Sequence, residues 1–405
     1  MIQPRQETRS ALIWPRGLQP LFLLLFFLLI NGCAKAPLDR MELDTLPEFT
    51  DDLELKGLLT GAVRHLHYLN KIPPQTSVSL GSDRYPVSWL RESMESFIDI
   101  LKQEPTPAEL NRIVLENFTV YRAGGREDRP RGEMLITGYY EPFLQGSLEK
   151  KAPFLYPLYG PPDSLIQVRD QKSGKSLSRR RDKTGKLVPY WTRKEIEIYN
   201  LAAGHELVYL KDPVDAFILH IQGSGKIQLQ DGSIRSIHYS TSNGLEYFSI
   251  GKLLVDQKKM SLQETNIPAI RHYLRTHPDE QEAILHHNSR FIFFRWEQGG
   301  DPIGSLGEPL TGGRSIAIDR AVLPHEALAF LISRKPVLTD SGEIDRWVPL
   351  HRFVFPQDTG SAIQGSGRVD LYYGSGNYAK QAAEHMKEVG TLYFLVKNNF
   401  EDPED

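Results

Sequence analysis

Apolar positions recur three and four residues apart in the first part of the chain and give way to alternation further on. Leu55, Leu58, Leu59, Val63, Leu66 and Leu69 share one helical face behind Thr50-Asp51-Asp52, which predicts a helix capped by that polar triplet. Trp89, Met94, Phe97, Ile98 and Leu101 predict a second helix. A third is expected to run to about Phe118, because Thr106-Pro107-Ala108-Glu109 supplies a cap, a first-turn proline and a glutamate that closes a capping box.

From Glu133 the pattern changes to short strands punctuated by Gly, Pro and Asp-Gly. Asp215 to Ile221, Lys226 to Gln230 and Arg235 to Tyr239 read as a meander turning at Asp231-Gly232, with Gln222-Gly223-Ser224 as a hairpin turn. Thr192 and Glu195 form another capping box, which embeds a helix ending near Gly204. Two or three helices are expected between Gly244 and His286, interrupted at Pro268 and restarted after Pro278. Strand character returns at 291–296, 314–318, 327–333, 347–355 and 391–397. Many short strands with few long helices make the chain mainly β with α additions, and favour barrels over a doubly wound sheet.

The segment RDQKSGKSLSRRRDKTGK, from Arg169 to Lys186, is nearly free of apolar residues and reads as a solvated basic loop. Its Gly174-Lys175-Ser176 does not make a phosphate loop, because Arg169 stands where that motif requires glycine. It also lacks the interleaved aromatics of a single-strand nucleic-acid surface, leaving an anionic headgroup or wall polymer as the alternative contact.

With 405 residues, 40% hydrophobic and 24% charged, the chain has material for a folded core and two domains. A net charge of −3 gives no general reason to bind nucleic acid. Arg5, Arg9 and Arg16 precede the apolar run Leu21–Ile30, which suits a secretory leader better than a spanning helix. Leu29-Ile30-Asn31-Gly32-Cys33 follows, and Cys33 is the only cysteine, so no internal disulfide can form. This arrangement resembles a bacterial lipoprotein signal. It implies a leader over 1–32, acylation of Cys33, a tether over 33–48, and an outer-membrane lipid anchor with the body facing the periplasm. The adjacent His286 and His287 do not form a metal-binding pattern, and no metal or cofactor is expected.

Gln357-Asp358-Thr359-Gly360-Ser361 carries the words with which an aspartic protease places a carboxylate. Such an enzyme needs a second aspartate sharing one proton. Asp340, in Thr339-Asp340-Ser341-Gly342, lies only 18 positions earlier in what reads as a hairpin turn, and Pro356-Gln357 replaces the apolar approach strand of a protease.

Three aspartates stand instead in glycine-punctuated strand sequence: Asp319 in SIAIDRAVLP, Asp358 in QDTGSAIQG and Asp370 in GRVDLYYGSG. With Gly138-Tyr139-Tyr140-Glu141-Pro142, the run Phe217 to Gly225, Tyr239 to Gly244, Ser249 to Lys252 and Ala269 to His272, they resemble the membrane-bound lytic murein transglycosylase A family, whose C-terminal 3D domain is named for three aspartates. The resemblance implies a double-psi β-barrel (49–140 and 288–405) interrupted by a smaller, mostly β glycan-binding domain (141–287). It further implies an exolytic peptidoglycan lytic transglycosylase that leaves 1,6-anhydromuramoyl ends, with Asp370 as acid/base and Asp358 supporting it. Gly138, Tyr139, Tyr140, Gln222, Gly223, Ser224 and Asp319 fall at glycan-binding positions, and Glu141 is a possible second carboxylate. Each also has a plain structural alternative: the Gly-Tyr-Tyr run as β core, Gln222 to Ser224 as a turn, Asp358 as a turn residue binding backbone amides, Asp319 as an ion pair with Arg320. Expected partners are glycan strands and a wall-remodelling complex. The rival reading is a non-catalytic wall-binding lipoprotein.

Overall fold

A computed structural model describes residues 37–171 and 176–400. Six strands close into a barrel in the order Lys387–Lys397, Leu328–Leu338, Ile344–Asp358, Ser315–Ala317, Arg368–Ser375 and Met134–Glu141, the last pairing back onto the first. Two of the pairings are parallel, Ser315–Ala317 with Ile344–Asp358 and Arg368–Ser375 with Met134–Glu141. The fold is a mainly β, double-psi barrel type, interrupted by a smaller β-rich part. Phe118–Ala123 and Leu38–Arg40 extend the sheet outward from Lys387–Lys397.

The three early helices lie at Leu58–Leu69, Val87–Lys102 and Pro107–Asn117. Their apolar faces, including Leu58, Phe97 and Val114, pack on Phe330, Phe353 and Phe355 of the barrel. Both capping boxes form, at Thr106/Glu109 and Thr192/Glu195. The predicted cap at Thr50-Asp51-Asp52 does not. The first helix begins after Gly57, whose φ of 71° lies in the left-handed region glycine tolerates. Asp51 still accepts from the Leu53 and Leu55 amides of the turn before the helix, at 3.1 and 3.2 Å, and with Asp52 it neutralises arginines buried in the barrel wall: Arg314 meets Asp51 at 2.5 Å and Arg352 meets Asp52 at 2.5 Å. A buried guanidinium without its carboxylate would be strongly destabilising, so these aspartates are held at the barrel and the helix itself starts only after Gly57.

At Pro142 the chain leaves the barrel. Phe143–Ser147 belongs to a six-stranded sheet ordered Ile292–Glu297, Ile234–Ser242, Ser224–Gln228, Phe143–Ser147, Glu206–Leu210, Tyr156–Tyr159. The hairpin at Asp231-Gly232 is present between two of these strands. Asp215 to Ile221 is not a strand, however, but part of the helix Pro213–Gln222. Asp212 caps it by accepting from the Val214 amide, and Pro213 opens its first turn. A near-continuous apolar run fits a helix buried on two sides as well as it fits a strand. Here Leu219 packs with the sheet at Ile227, while Val214, Phe217 and Ile218 pack with the small helices Ile250–Asp256, Ile267–Thr276 and Pro278–His286. Pro268 starts a helix rather than interrupting one. The basic segment is likewise not a loop: Ile166–Arg169, Ser176–Arg181 and Leu187–Pro189 form a three-stranded antiparallel sheet.

Candidate active site

A single row of side chains crosses four barrel strands. Ala317 is the register partner of Asp358 on one side and of Asp370 on the other, and Asp370 is opposite Thr137. Cross-strand partners share a face, so Asp358, Ala317, Asp370 and Thr137 point the same way, with only a methyl group between the carboxylates. Strand spacing puts the two aspartate backbones roughly 10 Å apart.

Asp370 keeps part of its surface exposed although protein atoms crowd around it. Its Oδ1 accepts from the Thr137 hydroxyl at 2.8 Å. Burial pushes its pKa up to about 6, and the Asp358 charge adds a smaller push in the same direction. The Arg368 guanidinium and the Thr137 hydroxyl oppose both. A carboxyl group titrating there is available as a proton donor near neutrality and as an acceptor once ionised.

Asp358 is held differently. Its Oδ2 accepts from the Tyr139 hydroxyl at 2.8 Å, and its Oδ1 accepts from the Ser305 and Thr359 amides, each at 2.9 Å. Burial raises its pKa, and these donors pull it back. The approach of the 302–305 loop depends on Gly304, since a Cβ there would lie 2.5 Å from the Gln357 carbonyl oxygen. Asp340 sits at the far end of the strand Ile344–Asp358, roughly 45 Å of extended chain away. No shared-proton pair of the protease kind can form between them.

Alternation along Met134–Glu141 divides the predicted tyrosines. Tyr139 faces the row and lies against Tyr372, ring centroids 5.1 Å apart. Gly138 and Tyr140 face the helix Asn377–His385 instead. Tyr140 is buried and donates to Glu384 Oε1 at 2.8 Å, and a Cβ on Gly138 would come within 2.9 Å of Ala383 Cα. Gln222 is the last residue of its helix and accepts from the Tyr140 amide at 3.0 Å. Gly223 is the left-handed helix terminator rather than a hairpin turn, and Ser224 opens the next strand. Asp319 turns onto backbone amides, accepting from Ala321 at 3.0 Å and Gly365 at 2.7 Å, which ties down the loop between Asp358 and Asp370. Cys33 lies outside the described residues.

Glu141 is buried against Lys226 Nζ at 3.2 Å, with its Oε1 unpartnered, and burial raises its pKa. It borders a cavity of about 330 Å³ shared by Tyr140, Phe143, Asp215 and Arg271, where barrel and second sheet meet. Sequence reasoning missed Thr137, Arg368, Tyr372 and the Ser305 amide. Thr137 could have been found, because it stands two residues before Tyr139 and so shares its face.

Residues 135–295 match the family description "MltA specific insert domain", and residues 314–396 match "3D domain". The chain belongs to the membrane-bound lytic murein transglycosylase A family. An Escherichia coli K12 protein called membrane-bound lytic murein transglycosylase A is 31% identical over 266 residues, 65% of this chain and 66% of that one. The Vibrio cholerae protein of the same name is 26% identical over 377 residues, covering 92% and 93%. Among solved structures, a membrane-bound lytic murein transglycosylase from Agrobacterium tumefaciens superposes with a TM-score of 0.71 at 27% identity, over 89% of this chain and 97% of that one. The family's 3D region, as matched here, contains Asp319, Asp358 and Asp370, whereas Thr137 and Tyr139 come from the stretch matched to the insert.

Proposed function

We propose that this chain is a peptidoglycan lytic transglycosylase in which Asp370 serves as both acid and base. The observation that carries the reading is the Asp370 carboxyl, pushed up to about 6 by burial yet still partly exposed. Relatives named for this activity support it. Protonated Asp370 gives its proton to the glycosidic oxygen as the bond between N-acetylmuramic acid and N-acetylglucosamine breaks and positive charge develops at the anomeric carbon. The resulting carboxylate then takes the proton of the muramoyl C6 hydroxyl, whose oxygen closes onto the anomeric carbon as a 1,6-anhydro ring. The proton count returns to its starting value and no water is consumed.

One acid suffices because the nucleophile is already attached to the reacting sugar. A hydrolase would need a second carboxylate to attack or to activate water. Asp358, saturated by three donors, is suited to shape the local charge rather than to shuttle protons. Tyr139, half-buried and backed by the buried Tyr372, offers the aromatic edge against which a sugar ring can lie. A solved E. coli relative holds bound chitohexaose, a parallel of fold. We also assign Cys33 as a lipid anchor to the outer membrane, a reading supported by its place directly behind the apolar leader.

Digestion of sacculi in oxygen-18 water tests the chemistry. Released muropeptides are expected to end in 1,6-anhydromuramic acid without new label. Labelled reducing ends would mean hydrolysis, and no release at all would favour a wall-binding protein.

A further inference from the structure

The three-stranded basic sheet has no part in the chemistry above, yet it is built as a surface. Its register sets Ile166 opposite Arg179, Val168 opposite Leu177 and Arg181 opposite Leu187, all on one face. The other face is fastened to the body. Ser178 Oγ donates to the Ser242 carbonyl at 2.5 Å, Gln167 Nε2 to Thr241 Oγ1 at 2.9 Å, and the Arg180 guanidinium lies 4.6 Å from the centre of the Trp191 ring.

The outward face therefore presents Arg179 and Arg181 among partly exposed apolar side chains, flanked by Lys183 and Lys186. Arg179 and Arg181 donate to the carbonyls of Ser178 and Gly185, not to carboxylates. The nearby Asp182 is occupied by its own turn, accepting from the Thr184 amide and hydroxyl and from the Lys186 amide. In a chain of net charge −3 this is a local concentration of cations on a rigid support.

Its location gives the charge a meaning. The strand Ile234–Ser242 that carries Thr241 and Ser242 leads into Asn243, which donates to the Trp191 carbonyl at 2.9 Å, and then to Tyr247. Gly244 packs directly on the basic sheet, where a Cβ would lie 3.0 Å from the Ser178 Cβ. The basic sheet thus adjoins the end of a strand of the second sheet and the loop that follows it.

We propose that this face binds the carboxylate-bearing peptide substituents of the glycan strand on which Asp370 acts. The inference rests on the function proposed above and adds a substrate determinant to it. Sugar rings of the strand are neutral apart from the peptide-bearing lactyl arm, so the peptide carboxylates are the groups that unpaired guanidinium forks select. Ile166, Val168, Leu177 and Leu187 offer apolar contact to small alanyl methyl groups.

The test compares strands bearing peptides with the same strands stripped by an amidase, which removes the peptide carboxylates and leaves one lactyl carboxylate, close to the sugar, on each muramoyl residue. Combining Arg179→Gln with Arg181→Glu, Lys183→Glu and Lys186→Glu alters exposed or half-exposed positions, and an unchanged melting temperature verifies the fold. The expected result is a KM raised roughly tenfold for peptide-bearing strands with kcat retained, a KM within about twofold for stripped strands, and loss of the salt dependence of the first value. Equal change on both substrates, or none on either, overturns the proposal. Loss of binding to anionic phosphatidylglycerol vesicles with unchanged KM would instead assign the face to a membrane. Pull-down of sacculi by an Asp370→Asn protein, with and without the charge changes, separates the two claims. Charge-dependent capture without turnover in the parent protein would sink the enzymatic reading and leave the peptide contact standing.

Discussion

Thr137 and Asp370 face each other across parallel strands, and the threonine hydroxyl donates to the aspartate at 2.8 Å. This bond favours the ionised carboxylate and so holds the pKa lower than burial alone would set it. Thr137→Val keeps the β-branched shape and removes the donor. The alkaline limb of kcat/KM, where the proton-donating form is lost, should move upward from about 6 by roughly one unit. An unmoved limb would mean that another group controls the profile.

Asp370→Asn cannot supply the proton, so turnover should fall by about 10² to 10⁴ or more while glycan binding persists. Asp358→Asn removes a like charge that contributes to raising the Asp370 pKa. Its alkaline limb should move down, with partial activity retained. Equal losses in the two folded variants would indicate a two-carboxylate mechanism.

Asp51→Asn leaves the fully buried Arg314 without its counter-ion. A loss of about 3–5 kcal/mol is expected, read as a lowered midpoint in urea. Asp52 carries a pH signature of the same kind. Desolvation alone would raise its pKa, but Arg352 and Lys335 hold it below the ordinary value. Its contribution is therefore complete above the unfolded carboxylate pKa and declines as pH falls toward the lowered folded one. A midpoint insensitive to acid in this range would contradict that arrangement.

Cys33→Ser should abolish palmitate labelling and release the protein from membranes. Activity on isolated sacculi should be unchanged, because the folded body described here begins at Pro37. A variant precursor that still takes up label would refute the anchor.

Local signals in the sequence survived best where local chemistry decides. The Thr106 and Thr192 capping boxes and the Asp231-Gly232 hairpin are satisfied by residues within three or four positions. Signals failed where a distant partner outbids the local one. Asp51 and Asp52 are held by arginines 263 and 300 positions away in sequence, a pull that no window of neighbouring residues can show. The helix Pro213–Gln222 was hidden because burial on two sides erases periodicity. In the site, family resemblance brought out Asp358 and Asp370, while register alone shows that Ala317 separates them and Thr137 completes the row. It also shows Gly138 and Tyr140 facing the helix beneath the strand, a distinction that alternation along 134–141 already contained.

Only Pro142 lies between the barrel strand that ends at Glu141 and the strand of the second sheet that begins at Phe143. The Lys226 amide takes hold of its carbonyl at 2.8 Å, and the parallel pairing of Phe143 with Lys226 starts from there. From Tyr139 to Leu144 the chain is five residues long and cannot reach beyond roughly 18 Å. The barrel strand and the second sheet are thus held here by a covalent tether too short to let them drift apart. Inserting one residue beside Pro142 would add only about 3.4 Å of chain, yet it would invert the phase of every side chain on whichever strand absorbed it. That single linking residue therefore fixes how the barrel strand and the second sheet are phased against each other, and a longer link would lose that phase.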